Sequence, residues 1–139
     1  MKREKIMLGI LAITLVFAMA FVSCDDSPNV DPSLNGTWIS SPGYGYTFNN
    51  ANWEALVGGS PGVKGTYTTS DDQITMTVTH HYLYLDQGAG WFSRNDMIAA
   101  GTPESQIDQL FFSFIYTYAI SGDTLTMTSS NGVSTYTRN

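Results

Sequence analysis

The chain has 139 residues, with 6 Lys and Arg against 12 Asp and Glu and a formal net charge of −6. Such a surface repels polyanions, which excludes nucleic acid as a partner. With 1 Cys in the whole chain no internal disulfide can form, so the fold must rest on an apolar core.

Residues 1–5 hold Lys2, Arg3 and Lys5 against Glu4, and residues 6–22 are apolar apart from Gly9 and Thr14. A basic start, a short greasy run and small residues near its end describe a secretory signal. A spanning helix is the competing reading, but it needs about 20 apolar residues and this run is shorter. Acids and prolines follow it, without a basic stop-transfer cluster. Phe21-Val22-Ser23-Cys24 resembles the bacterial lipobox, with Phe21 where that pattern prefers Leu. The resemblance implies that the Cys24 thiol takes a diacylglycerol with palmitate-type chains and that the chain is cut before Cys24. Each buried acyl CH₂ contributes about 0.8 kcal/mol, so two or more chains tether a protein firmly without spanning. The expected place is the bacterial cell envelope, on its periplasmic or surface face, with the membrane as partner through the lipid.

Removing residues 1–23 takes away three bases and one acid, leaving 3 Lys and Arg against 11 Asp and Glu and a formal charge of −8 over 116 residues. That length buries a real core as one domain. Residues 25–34, DDSPNVDPSL, are rich in Asp and Pro and poor in apolar side chains. They read as a flexible tether. The expected organisation is a signal peptide (1–23), the lipidated Cys24 with its tether (24–34), and one domain (35–139).

From Gly36 onward the apolar residues recur in twos. In 73–80, Ile74, Met76, Val78 and His80 share one parity and Gln73, Thr75, Thr77 and Thr79 the other; Phe112, Phe114, Tyr116, Tyr118 and Ile120 repeat the habit. Such alternation marks half-buried antiparallel strands. Eight are predicted, at 36–41, 44–49, 52–57, 63–69, 73–82, 112–121, 124–129 and 133–138. Turn-prone Asn, Gly, Asp, Ser and Pro separate most of them. YTTSDDQITMT (67–77) and YAISGDTLTMT (118–128) are one hairpin design used twice. Between them, Ser93 looks like a helix cap, Gly101 a stop, and Thr102 with Pro103 the cap and first residue of a second helix. Strands five and six are thus joined by a long crossover, 83–111, acting as a lid or plug.

Eight antiparallel strands with short turns close best as a barrel, which removes exposed edges. The inward set is predicted to be Trp38, Tyr46, Phe48, Trp53, Tyr67, Ile74, Met76, Val78, Phe114, Tyr116, Tyr118, Ile120, Leu125, Met127 and Tyr136. These are bulky, and an eight-stranded interior either fills or holds one small ligand; a small or nearly filled cavity is expected.

Leu34-Asn35-Gly36-Thr37-Trp38 resembles the Gly-x-Trp signature of lipocalins and their smaller bacterial lipocalin-like relatives. Gly65-Thr66-Tyr67, the run from Gly122 to Thr128, and Tyr136-Thr137-Arg138 extend the likeness over the domain. The resemblance implies an all-β, eight-stranded antiparallel, calycin-type barrel. It also implies closure by Gly36 and Trp38 at the base, with Arg138 packed across the indole. The shorter domain, the missing disulfide and the long crossover depart from the family.

Several residues invite chemistry. His80 and His81 are adjacent on a strand and point to opposite faces, so they do not easily share a metal. Asp71, Asp72 and Asp123 are accounted for by turns. Glu54 is expected to face solvent, with no second carboxylate placed for acid–base work. Trp91 and Phe92 in the crossover either grip a ligand or partner or pack the crossover onto the barrel. The expected function is non-catalytic binding of a small, largely apolar ligand at a mouth lined by Tyr46, Tyr67, Tyr116 and Tyr118, with Trp91 and Phe92 from the crossover. The alternative is an envelope protein–protein interaction module on a solid barrel. No metal or cofactor is expected beyond the covalent lipid on Cys24.

Overall fold

The computed structural model describes residues 27–85 and 88–139. The expected signal peptide and the lipidated Cys24 lie outside the described residues.

Among these, nine strands form: β1 Gly36–Ser41, β2 Tyr44–Asn49, β3 Asn52–Val57, β4 Ser60–Ser70, β5 Gln73–Leu85, β6 Gly88–Ser93, β7 Ser113–Ser121, β8 Thr124–Ser129 and β9 Gly132–Arg138. Two short helices, α1 Arg94–Ala99 and α2 Glu104–Ile107, lie between β6 and β7. Every strand pair is antiparallel. The pairings β1–β9 and β4–β5 close all strands but β6 into an eight-stranded barrel.

All fifteen predicted inward residues are buried in the core or packed against it, and Leu34 and Ala55 join them. Trp38, Phe48, Tyr67, Ile74, Met76 and Leu125 are fully buried. Each such side chain contributes roughly 1.5–3 kcal/mol by leaving water. The repeated hairpins serve one design. Tyr67 pairs with Met76 in β4–β5, and Tyr118 with Met127 in β7–β8. The turn carbonyl of Asp72 accepts from the Tyr118 amide at 2.7 Å, and that of Asp123 from the Arg138 amide at 2.8 Å. Each hairpin tip thus stitches the next strand at the base.

The crossover departs from expectation. Instead of forming a lid, residues 83–85 prolong β5 and residues 88–93 return as β6, making a two-stranded arm. One edge of β5 carries β4 as far as His81; the other carries β7 over Gln73–Thr77 and then β6 from His80. Gly88-Ala89-Gly90 carries no strand pattern, yet it pairs with Leu83, Tyr84 and Leu85 of β5. The Ser93–Asp96 capping box starts α1. Pro103, not Thr102, caps α2, with no side-chain bond. Met97 and Ile107 are buried beneath the helices.

The second half of the expected tether is also fastened down. Asn29 donates its side-chain amide to the Thr69 carbonyl at 2.8 Å and accepts from the Thr69 amide at 2.7 Å. Val30 packs on the core. Asp31 accepts from the Ser33 hydroxyl at 2.6 Å and amide at 2.9 Å, and from the Tyr118 hydroxyl at 2.8 Å. The expected tether therefore does not extend over residues 29–34.

The Ser33 hydroxyl above all, then the Ser33 amide and Tyr118, hold the Asp31 carboxyl below its usual range against some desolvation. Burial first, then the bond to Asp31, pushes Tyr118 up to about 12. A depressed Asp31 stabilises the fold fully above about pH 4 and loses that contribution as the pH falls through its folded pKa. A raised Tyr118 contributes fully below about pH 10 and fades as the pH climbs toward about 12. Asp31→Asn and Tyr118→Phe should each melt below wild type at pH 7, with the gap narrowing below pH 4. A gap constant from pH 7 to pH 3 in thermal melts would mean that the Asp31 charge plays no part.

Candidate functional site

At the base, Trp38 and Arg138 are direct cross-strand partners. The guanidinium carbon sits 4.1 Å from the indole ring centre. Arg138 donates to the Asn35 carbonyl at 2.7 Å and to the Ser33 carbonyl at 2.9 Å. The Trp38 indole N–H donates to the Leu34 carbonyl at 2.7 Å. Gly36 is needed here twice over: its φ is +128°, and a Cβ would lie 2.9 Å from an Arg138 nitrogen. This end is sealed by side chains and is a structural closure.

The six aromatic residues expected to gather at the mouth do not converge. Tyr46 and Tyr116 stand at the mouth with Tyr136; the Tyr46 ring lies 5.4 Å from that of Tyr136. Burial first, then the neighbouring Tyr136 and Tyr116 hydroxyls that share hydrogen bonds with it, drives the Tyr46 phenol up. Burial likewise raises Tyr116, again beside Tyr136. Tyr67 and Tyr118 lie instead toward the base. The Tyr67 hydroxyl is buried without a hydrogen-bond partner, and its pKa is raised by desolvation and then by Asp31. Strand parity placed all four tyrosines inside; depth along the barrel separates them into two pairs. Trp91 and Phe92 point to opposite faces of β6, as successive strand residues must.

The mouth holds two recesses on either side of Tyr136. One of about 200 Å³ runs along Ser40, Tyr46, Ala55 and Val57; one of about 230 Å³ runs along Tyr116, Met127, Ser129 and Ser134. None of the described crossover residues lines either.

The larger recess, about 480 Å³, is on the outside of the barrel. Thr47, Glu54, Lys64 and His80 line it, with Asn49 and Asn52 toward its base end. Thr47 pairs with Glu54, Glu54 with Lys64, and Lys64 with His80. They therefore form a row across four strands, on the face opposite the buried Phe48, Trp53 and Val78. A register shift between β4 and β5 at Lys64–Gly65 re-aims the end of the row. The His80 Nδ1 is 2.9 Å from the Thr79 hydroxyl. His81 points the other way, donating from Nε2 to the Leu110 carbonyl at 3.0 Å and meeting the Phe111 ring edge-on. The histidines are thus divided between groove and packing. Among the described residues no group of three or more His, Cys, Asp or Glu is placed to hold a metal.

Lys64 leans over Trp91, its ammonium 4.5 Å from the ring centre. Trp91 packs edge-on to Tyr82 at 5.2 Å, and Tyr82 to Tyr84 at 5.4 Å. The arm thus carries an aromatic strip that meets the groove at Lys64. The sequence reading missed this site because register, not periodicity, aligns residues from four strands. One signal was available: Lys64 is the sole lysine after residue 5.

Fold and sites together define a closed antiparallel β-barrel with a sealed base, a tyrosine-filled mouth and a polar groove outside. No protein-family model, curated protein or solved structure matches the chain.

Proposed function

We propose that this protein is a non-catalytic, lipid-anchored recognition module of the bacterial envelope, a lipocalin-like barrel that binds its partner from the outside. The packing of all fifteen inward side chains in or against the core carries this reading. The mouth recesses of about 200 and 230 Å³ fall below the roughly 300–1,000 Å³ of ordinary ligand pockets, whereas the external groove of about 480 Å³ lies within that range. Among the described residues, the groups with displaced proton affinity include the Asp31 latch and the Asp96 helix cap, whose shifts follow from structural hydrogen bonds to Ser33 and Ser93. The second reading, a small apolar ligand at the mouth, is favoured by the position of Tyr136, whose displacement would join the two recesses.

One experiment separates them. Protein extracted gently from membranes is weighed by native and denaturing mass spectrometry, with Cys24→Ala beside it. The expected result is a covalent lipid mass, absent from Cys24→Ala, and no further mass of an apolar small molecule that is lost on denaturation. A reproducible extra mass lost on denaturation and identified as an apolar small molecule would transfer the function to the mouth. Unchanged processing and membrane attachment of Cys24→Ala would overturn the anchor.

A further inference from the structure

We propose that the outer groove of β2–β5, with the aromatic arm that meets it at Lys64, binds a neutral oligosaccharide. This deepens, and rests on, the reading that recognition takes place on the barrel exterior.

The groove's polar groups form a ladder. Adjacent strands lie about 4.8 Å apart, so the cross-strand row Thr47, Glu54, Lys64, His80 offers a polar side chain at each such step. Hydroxyl, carboxylate, ammonium and imidazole supply both donors and acceptors, and Asn49 and Asn52 add amides that do both. Sugar hydroxyls also donate and accept, and a neutral sugar leaves neither Glu54 nor Lys64 facing a like charge.

Ordinary cross-strand pairing does not explain the row. Glu54 and Lys64 are direct neighbours, yet among the described residues the only ion pairs are Arg94–Asp108 and Arg138–Asp123. Lys64 turns to Trp91 instead. Beyond residue 23 the chain has 3 cationic side chains, and one of them sits here.

The arm supplies the apolar half of sugar recognition. Trp91 and Tyr82 are half-buried, and Tyr84 is 71% exposed. The electron-rich face of an aromatic ring attracts positively polarised C–H bonds, and a pyranose presents C–H bonds on its faces and hydroxyls at its edges. A polar ladder beside an aromatic strip is complementary to that division. Other ligands fit less well. The acidic chain repels an anion, and an apolar ligand would strand the Asn, Glu and Lys side chains. An extended peptide that adds a strand needs a free edge; β6 and the end of β5 beyond His81 offer one, but β2, β3 and β4, which carry most of the polar row, are paired on both sides.

The test is an array of immobilised neutral oligosaccharides, with sialylated and sulfated ones as the acidic set, probed with the full lipoprotein in detergent. Trp91→Ala, Glu54→Gln and Tyr136→Phe are compared after thermal melts confirm that each is folded. Wild type should bind at least one neutral oligosaccharide in preference to the acidic set. Trp91→Ala should weaken that binding at least about tenfold, the scale of an interface hot spot. Glu54→Gln should weaken it several-fold, and Tyr136→Phe, at the mouth, should leave it unchanged. Failure to bind any neutral oligosaccharide, stronger binding to the acidic set, or indifference to Trp91→Ala overturns the proposal. A parallel assay on protease-treated and untreated envelope fractions tells the two failures apart. Trp91-dependent capture that protease abolishes would refute the oligosaccharide and leave exterior recognition standing. Capture independent of both Trp91 and Glu54 would remove both.

Discussion

Trp38→Ala is expected to destabilise the domain by about 3–5 kcal/mol, enough to unfold many domains of this size. Trp38 has no exposed surface, so its removal leaves a cavity at the sealed end that rigid strands cannot collapse to fill. It also strands the Leu34 carbonyl, which accepts from the indole, and removes the ring under Arg138. Arg138→Ala removes the other half: two hydrogen bonds to the Asn35 and Ser33 carbonyls and the cation over the ring. It should cost about 2 kcal/mol, since the guanidinium is partly solvated. The two residues touch, so a double-mutant cycle in urea should show coupling of about 1 kcal/mol or more. Arg138→Lys should recover little, because an ammonium cannot span two carbonyls as a fork can. Strict additivity would mean that the stacked pair is incidental to closure.

The second large effect is expected at Gly65→Ala. A Cβ there would overlap the carbonyl oxygen of Thr77 on β5 and lie 3.0 Å from the Trp53 indole nitrogen. The obstacle is backbone, so no rotamer change relieves it; β4 and β5 must separate. That pairing is one of the two seams that close the barrel. The expected loss is about 4 kcal/mol or more, in the exceptional range for a single substitution. Hydrogen exchange should show the loss of protection centred on Gly65–Tyr67 and Met76–Val78, with the β8–β9 ladder less affected. Uniform loss over all strands would place the damage in the global fold rather than at the seam.

Several features were open to reading before any coordinates. Alternation of Phe114, Tyr116, Tyr118 and Ile120 identifies one face of a strand because a strand's side-chain period is two, whatever surrounds it. Asn, Gly and Asp at the turns act through their own backbone preferences. Gly36, Trp38 and Arg138 could be paired in advance because the Gly-x-Trp pattern that they resemble names them. The inward set followed from the same local rules, and bulky inward residues pointed to a nearly filled barrel.

What only the tertiary structure decided is depth, register and partner. Parity says that Tyr67 and Tyr116 face inward but not that one lies toward the base and the other at the mouth. Gly88-Ala89-Gly90 has no strand signal of its own; the unpaired edge of a long β5 makes it one. Asn29 and Asp31, read as tether, are held by Thr69 and Tyr118 from afar in the chain, and Val30 between them packs on the core. The groove is the clearest case. Thr47, Glu54 and Lys64 are ordinary outward residues; His80 has the parity of inward Val78, and the register shift at Lys64–Gly65 turns it out to stand beside them. Local preferences therefore determine which residues face in, and the long-range pairing of the closed sheet determines which of them meet.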